Sequence, residues 1–472
     1  MKTRNILASA VFSGLLLNSC NLDYNATSAI AETNLTENDY KYLLIGVYNG
    51  VQQFSMGHLY YIDEICADGL DDNSYYDTEN SNRIVASDSS INSWWNTLYK
   101  GIQLANNLVN LIEQKADKTE ADIEMQAEAR VLRAWLYSRV ATFWGDAPIL
   151  LEVKDEQVPR NTEKEVWEQV VADLEFGIAN APDYQDNNHV SKTAAKALLA
   201  RVLTIVPQVQ DKARGAQLAE EVIADGRFEL ADNFADIWQS KTSKEIILEW
   251  NNTTTDSSGI GWFLRSNIVT DYENSNGSGS AGYGEMGRYT FPVDIAQYNA
   301  YSDKDNRKAS SVRHLVLGSA ETYDCVKYPR YDGADPWPII RMGELYLISA
   351  EAQGYPAGIT RLNQLREKRG LDALTAGTDI NADNFLQKII EERRLELFVE
   401  GSRWYDLRRL WNSGAAGKQA VLDLRTLQPG ETSRPGASQS MDIAEDGYNL
   451  LWPVPQTAID NDPMLLPQNP GY

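Results

Sequence analysis

The sequence predicts a mainly α-helical protein in which paired helices form a scaffold around an irregular, loop-rich region. Three observations predict it. Apolar residues recur at spacings of three and four through much of residues 37–225, and again through 341–400. Hydroxyl or Asx residues stand where these runs begin, and Gly or Pro where several stop. Residues 251–290 trade the periodicity for Asn, Thr, Ser and Gly broken by aromatic residues.

The first helix starts after Thr36, where Asp39 completes a capping pattern, and carries Tyr40, Leu43, Leu44, Val47, Tyr48 and Val51 on one stripe. Residues 91–113 form the next, with Trp95, Leu98, Tyr99, Ile102, Leu108, Leu111 and Ile112. A third is capped by Thr119 and Asp122, runs through Val131, Leu132, Trp135, Leu136, Val140 and Phe143, and stops before Gly145 and Pro148. Helices over 163–180, 191–206 and 212–225 follow; Ala194, Ala195, Ala197 and Ala200 allow close packing. Such pairs resemble a tetratricopeptide-like solenoid, although the strict 34-residue signature is not visible. After the irregular stretch, helices return over 341–353, 357–369 and 383–400, the last capped by Asn381, Asp383 or Asn384. Residues 451–472 hold five Pro and read as extended, packed chain.

The chain has 472 residues and a formal charge of −24, enough length for a large core and the wrong sign for binding nucleic acid. Its start changes its class. Lys2 and Arg4 precede an apolar run, Ile6 to Leu17, too short to cross a bilayer, and Asn18, Ser19 and Cys20 follow. This resembles a bacterial lipobox: residues 1–19 are removed and Cys20 carries the lipid. Residues 20–36 are a polar tether. Cleavage removes Lys2 and Arg4 and makes the chain two charges more negative. Cys66 and Cys325 remain, either as one disulfide or as two buried thiols.

Six blocks, in order, resemble the SusD/RagB family of outer-membrane nutrient-binding lipoproteins of Bacteroidetes. They are Trp95, Tyr99, Ile102 and Asn106; AEARVLRAWLY at 127–137 with FWGDAP at 143–148; PIIRMGELYLISAEA at 338–352; LNQLREKRGL at 362–371; ERRLELFVEGSRWYDLRR at 392–409; and WPVPQ at 452–456 with QNPGY at 468–472. The resemblance implies a SusD-like α-α superhelix, with a helical part over 37–250 and a second part over 251–472 that includes a loop-rich insertion at 251–340. It also implies a non-catalytic, surface-exposed protein anchored in outer-membrane lipid through acylated Cys20. Its partner is a SusC-like TonB-dependent transporter, and its cargo an oligosaccharide or polysaccharide; peptide capture is the alternative.

Residue chemistry points the same way. Glu392 and Glu396 could pair for acid–base work, but Arg393, Arg394, Arg403 and Arg408 interleave with them, as in ion-pair networks. Arg130, Arg133, Arg341 and Glu344 read likewise as architecture, and Trp135, Trp167 and Trp404 as core. The glycine pattern at 277–282 sits in a Gly/Ser loop, so no cofactor is expected. The acidic run Asp71 to Glu79 lacks calcium-loop spacing, so no metal is expected. Sugars need aromatic faces for their C–H surfaces and Asn, Asp or Arg for their hydroxyls. Stretches 68–94 and 262–337 offer both. Trp94, Trp262, Tyr283 and Trp337 are the expected ring platforms, and Asp71, Asn73, Arg83 and Arg265 the expected hydrogen-bonding groups. Trp94 is chosen because Trp95 fits the packed stripe, which turns its neighbour elsewhere.

Overall fold

Side-chain caps and small residues decide where the helices start and how closely they pack. A computed structural model describes residues 35–54, 60–72, 76–152, 156–239, 243–255, 258, 260–264, 291–317, 320–330, 332–424 and 442–472. Eleven helices of nine residues or more lie among them. They are α1 (Glu37–Phe54), α2 (Ser89–Glu113), α3 (Glu120–Trp144), α4 (Glu163–Asn180), α5 (Lys192–Ile205), α6 (Lys212–Ile223), α7 (Met342–Gln353), α8 (Ile359–Lys368), α9 (Phe385–Glu396), α10 (Arg403–Trp411) and α11 (Ala415–Leu424). Thr119 and Thr162 form reciprocal capping boxes with Asp122 and Glu165 at the starts of α3 and α4. Residues 44–472 form one compact unit; residues 1–43 form another, of which 35–43 are described.

Successive helices α2 to α6 pack neighbour on neighbour. A Cβ on Gly177 of α4 would lie 2.3 Å from Val131 and 3.1 Å from Ala195, so three helices meet where only glycine fits. Helix α7 packs on α6 and α5, so the array resumes after a long excursion of the chain. Within that excursion, β1 (Ile246–Trp250) leaves and β4 (Trp337–Arg341) returns, and the two pair antiparallel with Trp250 opposite Trp337. The pair bridges the boundary expected at 250/251, and both sides of that boundary belong to the compact unit. A hairpin lies between them, β2 (Val312–Leu317) with β3 (Ala320–Cys325).

The Arg- and Glu-rich blocks form a buried ion-pair network. Arg341 reaches Glu245 at 2.7 Å, Glu396 at 2.5 Å and Glu400 at 2.8 Å. Glu396 also holds Arg307 at 2.9 Å and Arg369 at 2.8 Å. Arg393 and Arg409 share Asp406, and Arg133 grips Asp173 through two hydrogen bonds. Trp135, Trp167 and Trp404 are buried, in keeping with a core role. Cys66 and Cys325 are both buried free thiols.

The sequence pattern misleads in four places. The helix expected over 383–400 ends at Glu396. Val399 takes φ 56°, a left-handed conformation unfavourable for a β-branched residue. Its carbonyl accepts hydrogen bonds from Tyr328 Oη at 2.7 Å and Trp337 Nε1 at 3.2 Å, and its N–H donates to Glu64 at 2.9 Å. Those distant partners outweigh local periodicity. Helix α10 lies within the Arg- and Glu-rich stretch that reads as helical, but α11 is unanticipated, with Gly417 and Val421 its buried residues. Strands β1 and β4 are buried throughout and show no alternation. The Pro-rich end is extended but includes a short helix, Gln456–Asn461.

Candidate ligand-binding surface

Two loops and the last residues of the chain meet around an open concavity of about 450 Å³. Asn82 turns the first loop with φ 54°, which its short polar side chain tolerates, and its Nδ2 donates to the Cys66 carbonyl at 2.7 Å. Buried Asn449 ties the loops together. Its Nδ2 donates to the carbonyls of Asn82 at 3.0 Å and Asp442 at 2.6 Å, and its Oδ1 accepts from the Ala444 N–H at 2.9 Å. Gly447 (φ 74°) places Tyr448, and Gly471 (φ 89°) lies directly under that ring, where a Cβ would come within 2.2 Å of it. Tyr472 stands edge-on to Tyr448, with ring centres 5.2 Å apart.

The wall carries both kinds of group that a polyhydroxylated ligand needs. Tyr448 and Val85 are exposed apolar surface, 37% and 50% accessible. Opposite charges stand side by side, Arg83 Nε 3.5 Å from Asp442 Oδ2, with the two side chains 63% and 51% exposed. Arg83 donates only and Asp442 accepts only, so together they match hydroxyl groups, which do both. Tyr472 donates to the Leu451 carbonyl at 2.9 Å. Burial, with a smaller contribution from Tyr448, raises its pKa, so it stays a neutral phenol.

Among the described residues, Arg83 is the one expected ligand residue that lines this concavity. Trp94 corrects the expectation. It is 4% exposed, because Tyr76 and Trp452 cover the side that Trp95 leaves free, with ring centres 5.7 and 5.2 Å away. Trp337 also proves buried, at 3% exposure: it lies in β4 and donates to Val399. Asp71 is buried because residues 70–71 pair with 292–293, the Asp71 N–H donating to the Pro292 carbonyl at 2.8 Å. None of these three offers an open face to a ligand. Trp262 sits in a short helix, Ile260–Leu264. Asn73, Arg265, Tyr283 and Cys20 lie outside the described residues, as do residues 1–19 and most of the tether. Tyr448, Tyr472 and Asp442 were missed. A faint signal existed: both tyrosines follow a glycine.

The model of the SusD family matches residues 62–472. The chain belongs to the SusD family. SusD-like protein P2 of Formosa agariphila is 27% identical over 433 residues, covering 81% of each chain. A SusD-like protein of Bacteroides ovatus is 23% identical, over 69% of this chain and 66% of its own. Among solved structures, a laminarin-binding SusD-like protein superposes with a TM-score of 0.73 at 22% identity, covering 93% of this chain and all of that one. Surface glycan-binding protein A from Bacteroides uniformis gives 0.75 at 22% identity, covering 92% and 99%. These likenesses carry the SusD-like fold.

A second cavity in this SusD-family chain lies inside the scaffold, among α3, α4, α5, β4 and α10. It measures about 60 Å³, well below the roughly 300 Å³ of small-molecule sites. Its charged groups are already engaged: Arg201 with Glu344, and Arg139 with the Gly401 carbonyl at 2.7 Å. It suits buried water. Among the described residues no helix is long and apolar enough to cross a membrane.

Proposed function

We propose that this chain is a lipid-anchored protein of the outer-membrane surface that binds oligosaccharide or polysaccharide. It delivers that cargo to a SusC-like TonB-dependent transporter and performs no chemistry on it. The carrying observation is the concavity of Arg83, Asp442, Tyr448 and Tyr472 on a SusD-family scaffold. Ring faces beside a paired donor and acceptor suit sugar, with C–H surfaces on tyrosine and hydroxyls on the ion pair. Structural neighbours that bind laminarin or surface glycan support the cargo class. Cys20, next to an apolar leader, supports the anchor. Trp262, Tyr283, Asn73 and Arg265 remain proposed contributors.

Titration calorimetry against a polysaccharide panel tests the cargo. Binding of at least one glycan without release of reducing sugar is expected. Binding of a peptide library and of no glycan would replace this reading with peptide capture. Labelled palmitate should enter the wild type and not Cys20→Ser.

A further inference from the structure

We propose that the concavity selects uncharged glycans and excludes uronate and sulfated ones, an inference that rests on the glycan reading above. Among the described lining residues Arg83 is the one cation, and Asp442 already stands against it. The same two segments add acids. Asp88 accepts the Val85 N–H at 2.9 Å, Asp446 accepts the Tyr448 N–H at 3.3 Å, and Glu445 is exposed beside it. Among the described residues, Lys418 of α11 is a cation on another element that reaches this segment. It is committed to the Glu445 carbonyl, with its Nζ 4.8 Å from the centre of the Trp411 ring. Among the described residues of these segments, the carboxylates Asp88, Asp442, Glu445 and Asp446 outnumber the cations Arg83 and Lys418, on a chain of formal charge −24.

The pair geometry decides between ligand classes. An uncharged sugar can give one hydroxyl proton to Asp442 and accept one N–H from Arg83 without separating them. A uronate or sulfate that accepts the remaining N–H groups of Arg83 is brought against the Asp442 carboxylate, a second anion on the same guanidinium. The pair is exposed, so screening by salt weakens this repulsion without reversing it.

The test is affinity electrophoresis and calorimetry of the leader-free chain. The probes are uncharged glucans and mannans, polygalacturonate, a sulfated galactan, and chitosan as the cationic arm. At least one uncharged polymer should bind, with affinity changing less than about twofold between about 50 and about 500 mM NaCl. Arg83→Ala, Asp442→Ala and Tyr448→Ala should each weaken it roughly tenfold. Asp442→Asn should let polygalacturonate bind at least about threefold better. Thermal melts establish that each variant is folded. Preferred binding of the anionic or the cationic polymers by the wild type would overturn the inference. So would an uncharged ligand indifferent to all three alanine variants; in both cases the glycan reading stands. Binding of no polymer at all would sink the glycan reading itself.

Discussion

Arginine meets carboxylate in two very different places. Around Arg341 and Glu396 the groups are about 1% exposed or less, and each has several partners within 3 Å. At Arg83 and Asp442 a single pair stands 3.5 Å apart in solvent. The chemistry is the same and the surroundings are not. A buried charge has lost its water, so removing one partner strands the other at high cost. An exposed pair is held weakly and can exchange partners for a ligand at little cost. The first arrangement therefore locks helices together, and the second is free to recognise.

The largest effect should come from breaking the buried network. Arg341→Ala should destabilise the fold by about 3–5 kcal/mol in urea denaturation. A loss under about 1 kcal/mol would show the network to be dispensable. Burial alone would raise the Glu396 pKa, but Arg369, Arg341 and Arg307 outweigh it and hold that carboxyl well below its usual range. Its contribution is therefore present above the ordinary carboxylate range and is lost as pH falls through the depressed value. The penalty of Glu396→Gln should accordingly be greatest near neutrality and shrink in acid.

Glu249 sharpens the contrast. It is a buried carboxyl whose Oε2 finds no hydrogen-bond partner among the described residues, and burial lifts its pKa from 4.5 to about 8. The sign is opposite to that of Glu396. Here the folded state binds the proton more tightly, so stability falls as pH rises from 4.5 toward 8. Glu249→Gln should flatten that decline and be more stable than the wild type at about pH 9, by on the order of 2 kcal/mol. Parallel pH profiles of the two chains would refute this.

The surface pair should give the smallest stability effects. Arg83→Ala and Tyr448→Ala should change unfolding free energy by under about 0.5 kcal/mol while reducing glycan affinity. A double-mutant cycle on Arg83 and Asp442 in the unliganded protein should give about 0–1 kcal/mol. A coupling above about 2 kcal/mol would erase the distinction between the two regions.

Most of the scaffold was legible from periodicity and capping. The helices of nine residues or more from Glu37 to Ile223 and from Met342 to Lys368 begin and end within two residues or so of their expected bounds. The interleaved Arg and Glu blocks were recognisable as ion pairs because like residues alternate with unlike ones on one face. The concavity was largely illegible. Of its charged pair only Arg83 stood out, since Asp442 and Tyr448 are about 360 residues further along the chain. Trp94 and Trp337 looked available because their loops are polar, yet both rings turn inward.

Local physics acts over a few residues, and that is what the sequence by itself determined: helix positions, caps, the acidic balance, the apolar run before Cys20, and membership of the SusD family. Tertiary structure decided which aromatic faces stay open, because burial depends on what packs opposite. It covered Trp94 with Trp452 from the far end of the chain. It ended a helix pattern at Glu396 by offering the backbone of Val399 better partners elsewhere. It also set Arg83 against Asp442 through the hydrogen bonds of one buried asparagine, Asn449, a contact that no sequence spacing encodes.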